Sequence, residues 1–332
     1  MVAVDGAALH LQCSQTELSQ KELVAVLAET WADKVEADLG SLEGTARVQA
    51  LARFRSQRHK QSIGMAFINE PMGGASAEFD GLPWQLALKR AVGEEQETEV
   101  CNLCRKPSGG TLHARHCQAS QVKGHDTIVH NRVKRKLQSL LSKYLRVRAI
   151  DEDRTPFIAS ANENLRMDIV LPADAFPTTG YDGSTQMLPL MVDVTCFEAQ
   201  SASRMHKTAQ DPERCCRDQQ AAKQTHYSGH YDQSCYKLAT LAVGSFGSMG
   251  DQGWKLLDAM AEEYAAREAV PGTARPLALK GIALSRIRAS LSATLQMALS
   301  ARVMAYLSST RTGGNVTRGE VEDDVDRPGD GW

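Results

Sequence analysis

The chain has 332 residues, 42% of them hydrophobic and 23% charged, with a formal net charge of −2. That balance suits one large folded domain or two smaller ones, and it excludes a disordered chain or one that is basic throughout. No run of about 18 apolar residues occurs, so no membrane span is expected, and Met1 to Gly6 lacks the basic-then-apolar pattern of a secretory signal.

The expected setting is therefore intracellular and reducing, nuclear or cytoplasmic. There, eight cysteines point to metal ligands or buried thiols rather than disulfides. Residues 14 to 60 read as helical. Ser14 and Glu17 form a capping-box pattern, and Leu23, Val26, Leu27, Trp31 and Val35 recur at helical spacing. A second helix is predicted over Glu43 to His59. Residues 61 to 80, rich in Gly, Met and small side chains, read as irregular. Leu82 to Val92 reads as a short helix, with Pro83 at an early position where proline is tolerated.

The Cys/His segment, 101 to 117, comes next. A helix is then predicted from about Asp126 to Tyr144. Val129, Val133, Leu137, Leu140, Leu141 and Tyr144 form its apolar face, with Arg132, Lys134, Arg135, Lys136 and Lys143 largely off it. Between Lys123 and Arg148 eight basic residues accompany one acid, Asp126. Such a local patch suggests a confined anionic partner, against the plainer reading of a solvated helix face. From Leu145 to Ile150 apolar and basic residues alternate, which predicts a strand at a sheet edge. Met167 to Leu171 and Leu188 to Phe197 are β-rich runs, separated by a turn-rich excursion over 172 to 186. Residues 201 to 230 read as mostly helical, Leu238 to Phe246 as a strand, and Asp251 to Arg267 and Ile282 to Ser308 as amphipathic helices. The expected fold class is α/β (α+β), a mixed sheet flanked by helices. The expected division is a helical region over 1–95, a Cys/His knuckle over 96–125, the sheet domain over 126–310 and a disordered tail over 311–332.

Cys101 and Cys104 have Cys-x2-Cys spacing, with His113 and Cys117 following. Two thiolates on a tight turn and a second pair about ten residues later can close a tetrahedral structural zinc site. Gly109 and Gly110 loosen the loop between. His116 is an alternative ligand and His125 a weaker one. The segment is poor in apolar residues, so the metal would supply folding energy. Cys196, Cys215, Cys216 and Cys235 read as ordinary thiols. Asp168 begins one predicted strand and Asp193 lies inside the next, within Leu190-Met-Val-Asp-Val-Thr-Cys-Phe197. A carboxylate amid so many apolar residues is costly without a partner. On neighbouring strands, the two could share a hard cation, typically Mg²⁺. Taken singly, Asp168 reads as a strand-end residue and Asp193 as half of a buried ion pair.

These residues carry a resemblance. Cys101-Asn-Leu-Cys104, His113-Ala-Arg-His-Cys117 and His130-Asn131 resemble the region that follows the reverse transcriptase of site-specific non-LTR retrotransposons and related proteins. That family joins a CCHC zinc knuckle to a restriction-like endonuclease of the PD-(D/E)XK fold. Gly64-Met-Ala-Phe-Ile-Asn-Glu-Pro71 and Leu86-Ala-Leu-Lys-Arg-Ala-Val92 resemble its upstream stretch. Arg166-Met-Asp-Ile169 stands where the family has Arg-Pro-Asp, and Asp193-Val-Thr195 at its second carboxylate motif. Lys223 and Tyr227 match a Lys-x3-Tyr helix, and Leu241-Ala-Val-Gly-Ser-Phe-Gly247 resembles the strand and glycine turn after it. The resemblance covers about residues 60 to 305.

The resemblance implies that Asp168 and Asp193 hold Mg²⁺ and that Lys223 replaces the lysine usual on the second strand, where this chain has Thr195. It also implies that Arg132, Lys134, Arg135, Lys136, Arg166 and Tyr227 meet nucleic acid. The partner would be DNA, with RNA as the alternative. Thr195, Met167 in place of proline and the spacing of 25 residues from one carboxylate to the other depart from the family pattern. The expected activity is metal-dependent phosphodiester hydrolysis; a non-catalytic zinc-knuckle binding module is the alternative. A third reading, an HNH-type site from His125, Asp126, His130 and Asn131, lacks the required preceding hairpin. His130 is then expected to start the helix and support the knuckle.

Overall fold

A computed structural model describes residues 20–69, 81–95, 97–106, 109–178, 180–184, 187–269 and 276–311. The Ser14–Glu17 capping pattern and the tail beyond Arg311 lie outside these residues. Packing divides the chain between Arg47 and Val48. In the first unit, helix α1 spans Gln20–Gly40, and its Val26, Leu27, Trp31 and Val35 are exposed. Gly44 takes a left-handed φ of 56° and opens α2, Gly44–Arg58, a conformation glycine adopts without steric cost.

The second unit buries Ala50, Leu51 and Ala52 of α2. A 3-10 turn follows over Gly64–Asn69, then α3, Gly81–Val92, as the sequence predicted. The short strand β1, Glu97–Thr98, leads into the Cys/His segment, which holds α4, Gly110–Ala114, and α5, Ser120–Lys123. Helix α6 covers His125–Leu145. Strands β2, Ile150–Asp153, β3, Met167–Leu171, and β4, Leu190–Phe197, come next, then α7, Met205–Gln210, and α8, Arg214–Tyr227. Strand β5, Lys237–Gly244, and helices α9, Asp251–Glu268, and α10, Pro276–Arg311, complete the unit.

The predicted strand over Leu145 to Ile150 is the clearest correction. Arg146 turns left-handed at φ 58° and donates its N–H to the Ser142 carbonyl, closing α6. Val147 and Ala149 pack on the core without strand pairing, and β2 begins only at Ile150. Ile150 pairs with Val170. β3 ends one residue later at Leu171, and Pro172 beyond it has no N–H to offer a ladder. The alternation was real, but no partner strand reaches that far back.

The sheet order is β2-β3-β4-β5. The first two pairings are antiparallel and the last is parallel. A parallel pair needs a long crossover, which α7 and α8 provide. Alternate residues face opposite ways. Leu190, Val192 and Val194 join Ile169, Leu171 and Leu241 against Val133, Leu137 and Leu141 of α6, Leu256 of α9 and Leu291 and Leu295 of α10. On the other face Met191, Val170 and Leu238 meet Tyr227 of α8, and Ala242 meets Cys215 and Cys216. The molecule is thus mixed α/β, a four-stranded mixed sheet with helices on both faces.

Two distant motifs meet at a corner of this core. Gly247, at φ 84°, accepts the Ile63 N–H at 2.9 Å, and Ser62 bridges Ser248. A Cβ on Gly247 would collide with the Gly64 backbone. The glycine turn after β5 and the Gly64 segment therefore fit because Gly247 has no side chain, while a Cβ on Gly64 would instead strike the Gln57 backbone.

Candidate functional site

The first site is the Cys/His cluster. Cys101, Cys104, His113 and Cys117 each offer one ligand atom, and these atoms all lie within 4.8 Å of one another. Cys101 Sγ and Cys117 Sγ are 3.9 Å apart, and Cys104 Sγ lies 3.1 Å from His113 Nε2. Zinc–sulfur bonds of about 2.3 Å at tetrahedral angles set sulfurs about 3.8 Å apart. The four residues therefore form a candidate zinc site. The turn is shaped by Arg105, left-handed at φ 60°, whose N–H donates to the Cys101 carbonyl. Gly109 bridges Thr98 so closely that a Cβ would strike it.

The electrostatics suit a cation. Burial pushes the Cys101 thiol up, but N–H groups of Cys104 and Leu103 and the Tyr306 hydroxyl outweigh it and hold the thiol at about 7. Burial, and then the charge of Cys101, push Cys117 up to about 12. Buried thiolates repel one another unless a metal offsets them. Burial lowers His113 below its ordinary value, so its ring is neutral, the ligating form. His116, the alternative ligand, is outside the cluster and packs edge-on against the His113 ring at 5.0 Å.

Helix α10 holds this segment from behind. The Tyr306 hydroxyl donates to Cys101 Sγ at 3.4 Å. Arg302, buried, donates to the carbonyls of Ala114 and Cys117, each at 3.1 Å, and pairs with Asp126. Arg115, fully buried, joins the segment to the end of β4: its guanidinium meets Glu198 and Glu95 at 2.7 Å each and Gln200 at 2.5 Å. These supporting residues were not singled out in the sequence. Only the i, i+4 spacing of Arg302 and Tyr306 on a helix hinted at them.

The second site lies on β3 and β4. Ile169 pairs with Val192 at the end of the β3–β4 ladder, and Asp168 and Asp193 each lie one residue beyond that pair on neighbouring strands. Asp193 is 1% exposed. Its Oδ1 accepts from Lys223 Nζ at 2.8 Å and from the Tyr227 hydroxyl at 2.9 Å, and its Oδ2 from Thr195 Oγ1 at 3.0 Å. Helix α8 therefore brings Lys223 and Tyr227, four residues apart, to one carboxylate. The Tyr227 ring stacks on Phe157 at 5.5 Å. Burial, then the charge of Asp193, push its hydroxyl well above the usual tyrosine range, and Asp168 and Glu152 add to the effect.

Asp168 is held from the other side. Its Oδ2 accepts the Val194 N–H at 2.8 Å and meets His130 Nε2 at 3.1 Å. Burial raises its carboxyl, but those two hydrogen bonds outweigh burial and leave it below the usual range. The same hydrogen bond raises His130 above its ordinary value against burial. His130 thus reaches Asp168 rather than the Cys/His cluster.

The six residues expected to meet nucleic acid fall into two groups. Arg135 and Arg166 are exposed, and Arg132 and Lys136 are half-buried. Lys134 is buried; its amine pairs with Asp151 at 2.9 Å and with Glu152, binding α6 to β2. Tyr227 is buried against Asp193. Among the described residues no helix is long and apolar enough to cross a membrane. No protein-family model matches the chain, and no curated protein matches its sequence.

Proposed function

We propose that the chain is a metal-dependent DNA endonuclease of the retrotransposon type, with a restriction-endonuclease-like core and a structural zinc knuckle. The observation that carries this reading is Asp193 on β4 held by Lys223 and Tyr227, with Asp168 on the neighbouring strand β3. Two carboxylates on adjacent strands can face one hard cation, Mg²⁺ in this reading. Such an ion, when bound, lowers the pKa of water and neutralises charge on a phosphodiester. Asp168 and Asp193 would position it. Lys223 would lie beside the phosphate as the ester oxygens gain charge. Water would add to phosphorus as one P–O ester bond breaks, with a proton from that water ending on the departing oxygen. Arg132, Arg135, Lys136 and Arg166 would contact phosphates, giving salt-dependent binding.

A second reading, a binding module without catalysis, has its own support. Asp193 already accepts from three protein donors, and Thr195 stands where a lysine is usual for the fold. One experiment separates the two. Purified protein is incubated with supercoiled plasmid and Mg²⁺ or Mn²⁺, beside Asp193→Asn. The endonuclease reading expects nicking or linearisation that the variant loses. Intact DNA with both proteins, together with metal-independent binding, leaves the binding module.

A further inference from the structure

Asp168 makes its hydrogen bonds with one oxygen. Oδ2 receives the Val194 N–H and faces His130 Nε2, while Oδ1 has no hydrogen-bond partner among the described residues. A carboxylate oxygen has two lone pairs in its plane, so two donors on Oδ2 fix the plane of the group and turn Oδ1 elsewhere. His130 is itself oriented. Its Nδ1 lies 3.1 Å from the Asn131 side-chain oxygen. One turn further along α6, Lys134 pairs with Asp151 and Glu152. Thus His130 and Lys134, four apart on one helix face, reach β3 and β2 respectively. His130 is also half-buried, so its ring is confined by packing as well as by these two contacts.

We infer that His130 is a positioning residue of the nuclease site, holding Asp168 by Oδ2 so that Oδ1 is presented to a divalent cation. The inference rests on reading Asp168 as a metal-binding carboxylate. His130 acts through Asp168, and Asn131 acts through His130. Its ring nitrogen is engaged at Asp168, which leaves it unsuited to the separate HNH-type role. Side chains that orient a metal ligand in this way typically contribute 10- to 100-fold to metal affinity or activity.

The test uses the zinc-loaded full chain and reads Mn²⁺ affinity by electron paramagnetic resonance, with plasmid cleavage alongside. His130→Ala is expected to weaken Mn²⁺ binding by about tenfold or more and to slow cleavage, with partial recovery at high Mn²⁺. His130→Gln, which keeps an N–H donor on a side chain of similar reach, is expected to restore most of the affinity. It also serves if the alanine variant folds poorly, as judged by circular dichroism. Wild-type Mn²⁺ affinity and cleavage in a folded His130→Ala protein, with both lost in Asp193→Asn, would overturn the role of His130 and leave the nuclease reading standing. Equal loss in the alanine and glutamine variants would also overturn it, because the donor would then not be what matters. Wild-type protein that neither binds Mn²⁺ nor cuts overturns both readings together.

Discussion

Arg115 gathers two largely buried carboxylates. It lies between His113 and Cys117 in the chain, yet its guanidinium is spent on Glu95, Glu198 and Gln200. Removing one partner of such a group strands the others without compensation. Arg115→Met is therefore expected to destabilise the fold by about 3–5 kcal/mol in urea unfolding at pH 7. The pH dependence has a definite sign. Burial raises Glu198, but the Arg115 charge, the Gln200 N–H and the Ser245 hydroxyl outweigh it and hold the carboxyl below its ordinary value. A depressed carboxylate contributes stability that is present above its unfolded pKa and lost as pH falls through its folded one. The gap between wild type and Arg115→Met should therefore narrow below about pH 4, as the Glu198 carboxylate takes up a proton. A gap that stays constant from pH 7 down to about pH 3 would show that packing, not charge, is what Arg115 provides. Asp193 was legible at this scale, because an acid in an apolar strand demands a partner. Arg115 was not, because one arginine among polar neighbours looks like any surface residue until the fold buries it.

At the scale of elements, α10 joins the Cys/His cluster to the core. Its 36 residues span about 54 Å. Ile287, Leu291, Leu295 and Leu299 pack in the main core, while Val303 and Tyr306 pack beneath the cysteines. The cluster is therefore expected to stabilise the C-terminal end of α10 as well as its own loop. Purified protein should contain one zinc per chain by elemental analysis. Chelation or Cys104→Ser should lower the melting temperature and raise amide exchange at residues 302–311 and 101–117, with little change in β4 or β5. Zinc-free protein with unaltered exchange at both segments would contradict this. The helix itself was readable from spacing, whereas its length and its docking were not. Residues 291 to 296 are buried in succession, so no amphipathic face marks that stretch, and only the surrounding elements decide how it packs. Helix α6 shows the complement. Its apolar face was predicted and is buried, but Lys134 leaves the polar set to pair with β2, a strand the sequence placed too early.

For the whole molecule, the division at Arg47/Val48 falls inside α2. Ala50, Leu51 and Ala52 belong to the second unit's core, so a cut that respects packing removes residues 1–43 and keeps the helix intact. That shortened chain is expected to retain the far-ultraviolet circular dichroism per residue, zinc content and melting temperature of the full chain to within a few degrees. Loss of cooperative unfolding would show instead that the second unit needs the first. What the sequence determined by itself were local quantities: the helices and strands with strong periodicity, the four candidate ligands at knuckle spacing, and the need of Asp193 for a partner. Each rests on residues near one another in the chain. The tertiary structure decided which distant residues meet. It set the strands of Asp168 and Asp193 side by side, turned His130 to Asp168 and Lys134 to β2, brought Lys223 and Tyr227 to Asp193, and closed Gly247 on Gly64. Strand register and helix docking follow from burying one shared core, and no short stretch of sequence contains that information.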